Sequence, residues 1–373
     1  MDVAVYCCHR THALGVAALL IPSLAVAASA QRAAGRQADS AATLIGIVTM
    51  NDGALPLPFS TVSIPALGRE LFSNDRGIFT LAGLPAAPLR LRVRHLGYSP
   101  VELTVDVHPG QTDTVHVTLT HIAVRLGAVN VRAYPECKTP GPPIAPTDSA
   151  FATVFDQLRQ NAEQYRLLTR TYPYVYSIER TLSTTLANGE VRFDGVDTTT
   201  FNSASDWKYI PGGVITRQTG SRLIARGGMM KQLPTLAQFA DTAFIDNHCF
   251  YNGGTESLDG TDLLRVDFIA ASRITDPDVN GAMYLDPATF QIRRAVLHLS
   301  RIPTRVVGLA ELEAVTYFGE VLSSIPIIAG VMSVNRFVAD NRRPQAPLEA
   351  HEDLRLLSVR FLRGRPGDEL KKP

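Results

Sequence analysis

The chain has 373 residues, a formal net charge of +1 and 45% hydrophobic residues. That length suits two domains with linkers, and the apolar content supplies ample core material. So even a charge balance gives no electrostatic footprint for nucleic acid, which is excluded as a partner.

Residues 1–30 stand apart from the rest. Arg10 precedes the apolar run ALGVAALLIPSLAVA, which ends in Ala28-Ser29-Ala30. A basic start, an apolar middle and small residues at the −3 and −1 positions predict a secretory signal peptide, cut between Ala30 and Gln31. The run is shorter than the roughly 20 residues a membrane helix needs, and Pro22 interrupts it. A lipoprotein would carry Cys where Gln31 stands. VLSSIPIIAGVMSV at 321–334 is likewise too short and broken to span a bilayer. The mature chain is therefore expected to be exported, without a transmembrane span, to the periplasm, the outer membrane or the extracellular medium.

From 44 to 122 every signal is β. LIGIVT forms a short strand, STVSI sets Val62 and Ile64 on one face, and RELFSNDRGIFTL predicts a hairpin through Asn74 to Gly77. LRLRVRHLGY alternates Leu89, Leu91 and Val93 with Arg90, Arg92 and Arg94, and VELTVDV and DTVHVTLT repeat the pattern. Seven short strands punctuated by Gly and Pro predict an antiparallel β-sandwich. GIV with PLP and STVSIP, NDRGIFTLAGLPAAP, and LRVRHLGYSPVELTVDV together resemble the carboxypeptidase regulatory-like domain, a transthyretin-like sandwich. The resemblance implies a non-catalytic accessory module. The peptidase half is missing: a zinc peptidase needs two His and a Glu on the metal, and the chain has neither H-x-x-E nor H-E-x-x-H. His351-Glu352-Asp353 is expected to be a solvated segment entering a strand.

Residues 130–147 form a Pro-rich linker, after VNVRAY as a last candidate strand. Thr147 or Asp148 is placed to cap a helix through about Leu168. Phe151, Phe155, Leu158, Ala162, Tyr165 and Leu168 give that helix one apolar face for core packing. From 148 to 362 the expected unit is this helix plus a curved antiparallel sheet of eight to ten strands, with a short helix near 234–240. Ala187-Asn188-Gly189 and Asp286-Pro287-Ala288-Thr289 mark hairpins. Gly281, Leu285, Asp286, Thr289 and Ile292, heading a long returning strand, resemble the half-barrel of periplasmic lipoprotein carriers and envelope-stress sensors. That resemblance implies acyl chains or peptide segments held inside the curved sheet. The fold class is thus mainly β: a seven-stranded sandwich, then a larger curved antiparallel sheet with one or two helices.

In an exported protein the two remaining cysteines, Cys137 in the linker and Cys249 in an expected loop, are predicted to pair. The bridge would close more than a hundred residues, nominally worth about 4–5 kcal/mol in chain entropy. His248 beside Cys249 raises a metal reading, but one His and two Cys fall short of four zinc ligands. No G-x-S-x-G, G-x-x-x-x-G-K-[ST] or G-x-G-x-x-G occurs. Asp259, Asp262, Asp267, Asp276 and Asp278 raise a glycosidase pair, and Asp276, Asp278 and Asn280 a Ca²⁺ site. Turn chemistry accounts for most of them. No catalytic residues, metal or cofactor are expected. The leading expectation is a non-enzymatic envelope protein that binds a lipid, a peptide or an envelope protein through the curved domain. A second is carbohydrate binding on the sandwich, whose aromatic residues are Phe59, Phe72, Phe79 and Tyr98. A third is a hydrolase or peptidase-associated protein built around a polar pocket at His248.

Overall fold

The computed structural model describes residues 41–50, 55–124, 126–127, 136–143, 148–203, 208–217, 229–231, 233–304, 306–339 and 345–366. The expected signal peptide, its Ala30–Gln31 cleavage point, the VNVRAY strand up to Pro135 and linker residues 144–147 lie outside the described residues.

Seven strands come first: β1 (Ala42–Met50), β2 (Thr61–Ile64), β3 (Arg69–Phe72), β4 (Ile78–Leu84), β5 (Pro88–Arg94), β6 (Val101–Asp106) and β7 (Thr112–Leu119). They form two sheets, ordered β4-β1-β7 and β3-β2-β5-β6. Period-two alternation sends Leu44, Val62, Ile64, Phe79, Leu81, Leu91, Val93 and Leu119 into one shared core. Each such burial contributes about 1.5–3 kcal/mol. The hairpin expected through Asn74 to Gly77 is instead a turn between the two sheets, since β3 pairs with β2 and β4 with β1; at this turn Asn74 Oδ1 accepts from the Arg76 and Ile78 N–H groups at 2.9 Å. Gly77 there has φ +72, and a Cβ on it would stand 2.6 Å from the Val48 carbonyl oxygen. One pairing departs from the expected antiparallel pattern: β7 runs parallel to β1. The chain crosses from β6 in one sheet to β7 in the other, so β7 meets the first strand rather than folding back on its predecessor.

The second unit opens with α1 (Ser149–Thr171), capped by Asp148, whose carboxylate accepts from Phe151 N–H at 2.9 Å. Such a cap is worth about 1 kcal/mol. Then follow β8 (Tyr174–Leu186), β9 (Val191–Asn202), the short pair β10 (Ile215–Arg217) and β11 (Met229–Lys231), and α2 (Thr242–Ile245). Seven further strands complete it: β12 (His248–Leu258), β13 (Thr261–Ala270), β14 (Val279–Leu285), β15 (Ile292–Leu299), β16 (Leu309–Leu322), β17 (Ile325–Phe337) and β18 (Pro347–Phe361). They build one antiparallel sheet of nine strands, β12-β13-β14-β15-β16-β17-β18-β8-β9. Register shifts in five of its eight pairings, β12–β13 among them, mark bulges, which bend and twist a sheet.

Helix α1 lies on one face of this sheet. Phe151, Val154, Phe155, Leu158 and Ala162 pack with Phe250, Phe268, Phe290, Leu297 and Phe318. Its end, through Leu167 and Leu168, joins Tyr174, Ile325 and Ile327 of the sheet with Phe59 and Phe72 of the sandwich. Polar contacts also link the two units: Gln157 Oε1 accepts from Gly97 N–H at 2.8 Å, and the Arg94 guanidinium bonds Glu163.

Two local expectations change. The helix expected at 234–240 is a single 3-10 turn at Gln238–Ala240 followed by α2. Asp241 ends the first and caps the second through Ala243 N–H at 3.0 Å. Cys249 lies on strand β12 rather than in a loop, because the alternation of HCFYNGG is interrupted by two glycines and hides the strand. Cys249 is bonded to Cys137 with Cα atoms 5.6 Å apart. The Cys137 segment is also pinned by backbone bonds, Gly141 N–H to His248 O and Ser272 N–H to Cys137 O, both 2.9 Å.

Candidate ligand pocket

The covering by α1 is partial. It lies over β12 to β17, and toward β18 and β8 the same face opens into a cavity of about 310 Å³. The strand register explains its lining. Thr316 on β16 opposes Val331 on β17, Val331 opposes Leu354 on β18, and Leu354 opposes Arg180 on β8. In the neighbouring row Ser333 opposes Glu352, and Glu352 opposes Leu182. Directly opposed residues share a face, so these side chains line up across the sheet on the face that carries the cavity. Tyr174, Tyr176 and Ile178 of β8, Ile327 and Ile328 of β17, and Leu356 of β18 extend the apolar wall. Tyr165 of α1 and Leu233, Pro234 and Thr235 close the opposite side.

The polar groups of the sheet wall are few. Arg180 Nε bonds Glu352 Oε1 at 2.7 Å, Ser333 lies opposite Glu352, and Thr316 and Ser333 are buried. Burial pushes the Tyr176 phenol up, so it stays neutral. The site is thus a mainly apolar trough whose sheet wall carries one charged pair and two hydroxyls. Its volume is at the small end of ligand pockets, roughly 300–1,000 Å³.

The His248 cluster is different in kind. His248 and Asp278 are fully buried, with Nε2 3.8 Å from Oδ1. The imidazole stacks on Phe244 at 3.9 Å and places its nitrogens at Phe244 O (2.8 Å) and Val279 O (3.1 Å). Asp278 accepts from Tyr209 O–H, Gly212 N–H and Val279 N–H. Burial pulls His248 below its ordinary value against the pull of Asp278, and burial with Asp278 pushes Tyr209 up. Both His248 and Asp278 are fully buried, and these bonds cross-link the fold. The turn chemistry expected of Asp276-Pro277-Asp278 does not account for Asp278, whose three donors come from distant and adjacent chain that a sequence does not reveal. Asn280, the third member of the Ca²⁺ trio, accepts at Oδ1 from Ala270 N–H at 2.9 Å, while Asp276 is exposed. The three do not converge on one point.

His298, Glu311 and Glu313 lie within reach of a common ion on β15 and β16. Arg336 already bonds Glu311 at 2.8 Å and Glu349 at 3.2 Å, so this is a half-exposed ion-pair network. On the sandwich, Phe59, Phe72, Phe79 and Tyr98 are all buried. None of the four is presented as a stacking surface for a sugar.

The hairpin motif resolves into packing. Leu285 and Ile292 are buried, and Asp286 Oδ1 accepts from Ala288 and Thr289 N–H at 2.8 and 3.1 Å. Burial would raise Asp286, but those donors and Arg293 hold it below its ordinary value. A Cβ at Gly281 would stand 2.1 Å from Val296 O. Sequence reasoning missed Asn161, which reaches this turn from α1: Nδ2 donates to Phe290 O at 2.8 Å and Oδ1 accepts from Ile292 N–H at 3.0 Å. It missed Glu352 too: the solvated segment expected at 351–353 lies within β18, and Glu352 lines the cavity.

Comparison with known proteins supports the sandwich reading directly. Residues 43–120 match the carboxypeptidase regulatory-like domain family. No curated protein matches the chain. Among solved structures, it is similar to an outer membrane lipoprotein-sorting protein domain from Vibrio parahaemolyticus, at 12% identity and TM-score 0.29, covering 58% of this chain and 97% of that one. A LolA superfamily protein from Nitrosomonas europaea gives 10% identity and TM-score 0.28, over 58% and 97%. The minor pilin GBS52 of Streptococcus agalactiae gives 16% identity and TM-score 0.19 over 26% of this chain, which spans 49% of the pilin. Scores this low carry no argument about what the chain binds. Among the described residues no helix is long and apolar enough to cross a membrane.

Proposed function

We propose that this is an exported envelope protein that binds an apolar ligand in the trough of its nine-stranded sheet and performs no chemistry on it. In this reading 1–30 is the signal peptide, 44–122 the accessory sandwich, 130–147 the linker and 148–362 the binding unit. The Cys137–Cys249 bridge then belongs to the oxidised, exported form. The observation that carries the reading is the 310 Å³ cavity, walled mainly by tyrosine, isoleucine, leucine and valine with few polar groups. Such a lining favours a lipid-like molecule, with an apolar body and a small polar end, over a polysaccharide. The full burial of His248 and Asp278 supports binding over catalysis.

The test is organic extraction and mass spectrometry of protein purified from its own host. Wild type should carry a lipid-like molecule near one equivalent, and Val331→Trp, which fills the trough, should lose it while keeping its far-UV spectrum. An empty wild type, or equal loading of the two, would overturn the reading.

A further inference from the structure

β9 ends the nine-stranded sheet, and among the described residues no strand pairs with its outer edge. It runs for twelve residues and is exposed at nearly every one. Val191, Phe193 and Val196 are 68%, 65% and 59% exposed. A long edge with bare N–H and C=O groups is a template for another strand, and natural edges of this length are normally covered or blunted.

The pairing of β9 with β8 fixes which side chains share a face. Val191, Phe193, Val196 and Thr198 oppose Thr185, Ser183, Thr181 and Glu179, while Arg192, Gly195 and Asp197 oppose Thr184, Leu182 and Arg180. Positions two apart on β8 lie on one face. The first set therefore occupies one face of the sheet and the second set the other. Asp194 is the extra residue of the register shift between Leu182 and Ser183, and its carboxylate reaches Thr184 Oγ1 on the second face.

This shift makes the strand symmetric about the bond between 194 and 195. Moving outward from that point in either direction, an apolar residue (Phe193 or Val196) comes first on one face. A charge of opposite sign (Arg192 or Asp197) comes next on the other. We infer that the β9 edge is a self-association surface, pairing antiparallel with the β9 of a second copy about a two-fold axis at the 194–195 link. In that register Phe193 opposes the partner's Val196 and Arg192 opposes the partner's Asp197, each twice by symmetry. Every opposed pair falls on a common face. A slip by one residue breaks that match, and a slip by two sets Phe193 against Asp194 or Thr198. Among registers within two residues of it, this one alone pairs apolar with apolar and cation with anion. Arg192 and Asp197 have intrachain neighbours, Asp194 at 2.6 Å and Arg180 at 3.8 Å. Those contacts are exposed and leave both groups reachable from the edge. Two nine-stranded sheets would join into one.

Analytical ultracentrifugation of the exported protein tests this. Wild type should show a monomer–dimer equilibrium, and Asp197→Arg or Arg192→Asp alone should weaken it at least about tenfold by setting like charges opposite each other. The double variant Arg192→Asp/Asp197→Arg should recover dimerisation, since the swapped charges again oppose. Phe193→Lys should weaken it as well, with circular dichroism showing each variant folded. A wild type that stays monomeric up to about 100 µM, single variants that dimerise as wild type, or a double variant no better than the singles would overturn the inference.

Discussion

Asn161 sits on α1 with no exposed surface, yet it belongs to the polar class. Its Nδ2 donates to Gln157 O one turn back and to Phe290 O across the interface, at 2.9 and 2.8 Å. Its Oδ1 accepts from Ile292 N–H at 3.0 Å. Phe290, fully buried, holds φ +56, a conformation that costs a non-glycine residue about 1–3 kcal/mol and persists only where its surroundings enforce it. Asn161→Ala strips partners from one buried carbonyl and one buried amide. Each orphaned group costs about 1–3 kcal/mol, so the variant should lose about 2–5 kcal/mol of stability. Urea unfolding followed by far-UV circular dichroism measures this through the shift in midpoint at unchanged slope. Asn161→Asp separates hydrogen bonding from volume. It keeps the acceptor for Ile292 N–H but turns a carboxylate oxygen on Phe290 O, and a buried carboxylate has a raised pKa. Its native state therefore binds more protons than its unfolded state. Relative to wild type it should be weakest at neutral pH and gain as pH falls toward about 4. A loss below ~0.5 kcal/mol in Asn161→Ala, the range of an ordinary surface substitution, would refute the claim that this side chain clamps the turn to the helix.

Two further outcomes are expected. Cys137→Ser with Cys249→Ser opens a span of 112 residues, which chain entropy values at about 5 kcal/mol; an unfolding free energy from urea titration within about 1 kcal/mol of wild type would show that the backbone bonds of Gly141 and Ser272 hold the segment unaided. His95 is buried beside Ser60 and Tyr98, and burial pushes it down to about 4. The unfolded imidazole takes its proton near 6.5, so the unfolded chain binds more protons between those values and stability falls as pH drops through that window. Wild type should lose about 3 kcal/mol over it relative to His95→Gln, and parallel pH profiles for the two proteins would contradict this.

What was legible depended on how local the cause was. The stretch from Ser73 to Pro100 reads directly as a turn, two strands and a corner because period-two burial and turn chemistry act within a few residues. Gly77, Leu89, Leu91 and Val93 each do locally what their neighbours predict. The Asp148 cap and the apolar stripe of α1 are local in the same sense. The parallel β1–β7 pairing is not, since sheet order depends on how the two layers cross.

Sequence alone determined the mainly β class, the family of the sandwich, the long capped helix and the hairpins of the larger sheet. All of these follow from periodicity and from residues with restricted backbone preferences. Only the tertiary structure decided which face of the sheet stays open beside α1, and so which residues line a pocket. It also turned Asp278 from a turn residue into a buried acceptor for Tyr209, and Asn161 from a helix-surface amide into a clamp. Hydrogen-bond partners 69 and 131 residues away leave no pattern in the chain near either one. The face a strand buries is written in its alternation, whereas the partner that covers that face is settled when distant segments meet.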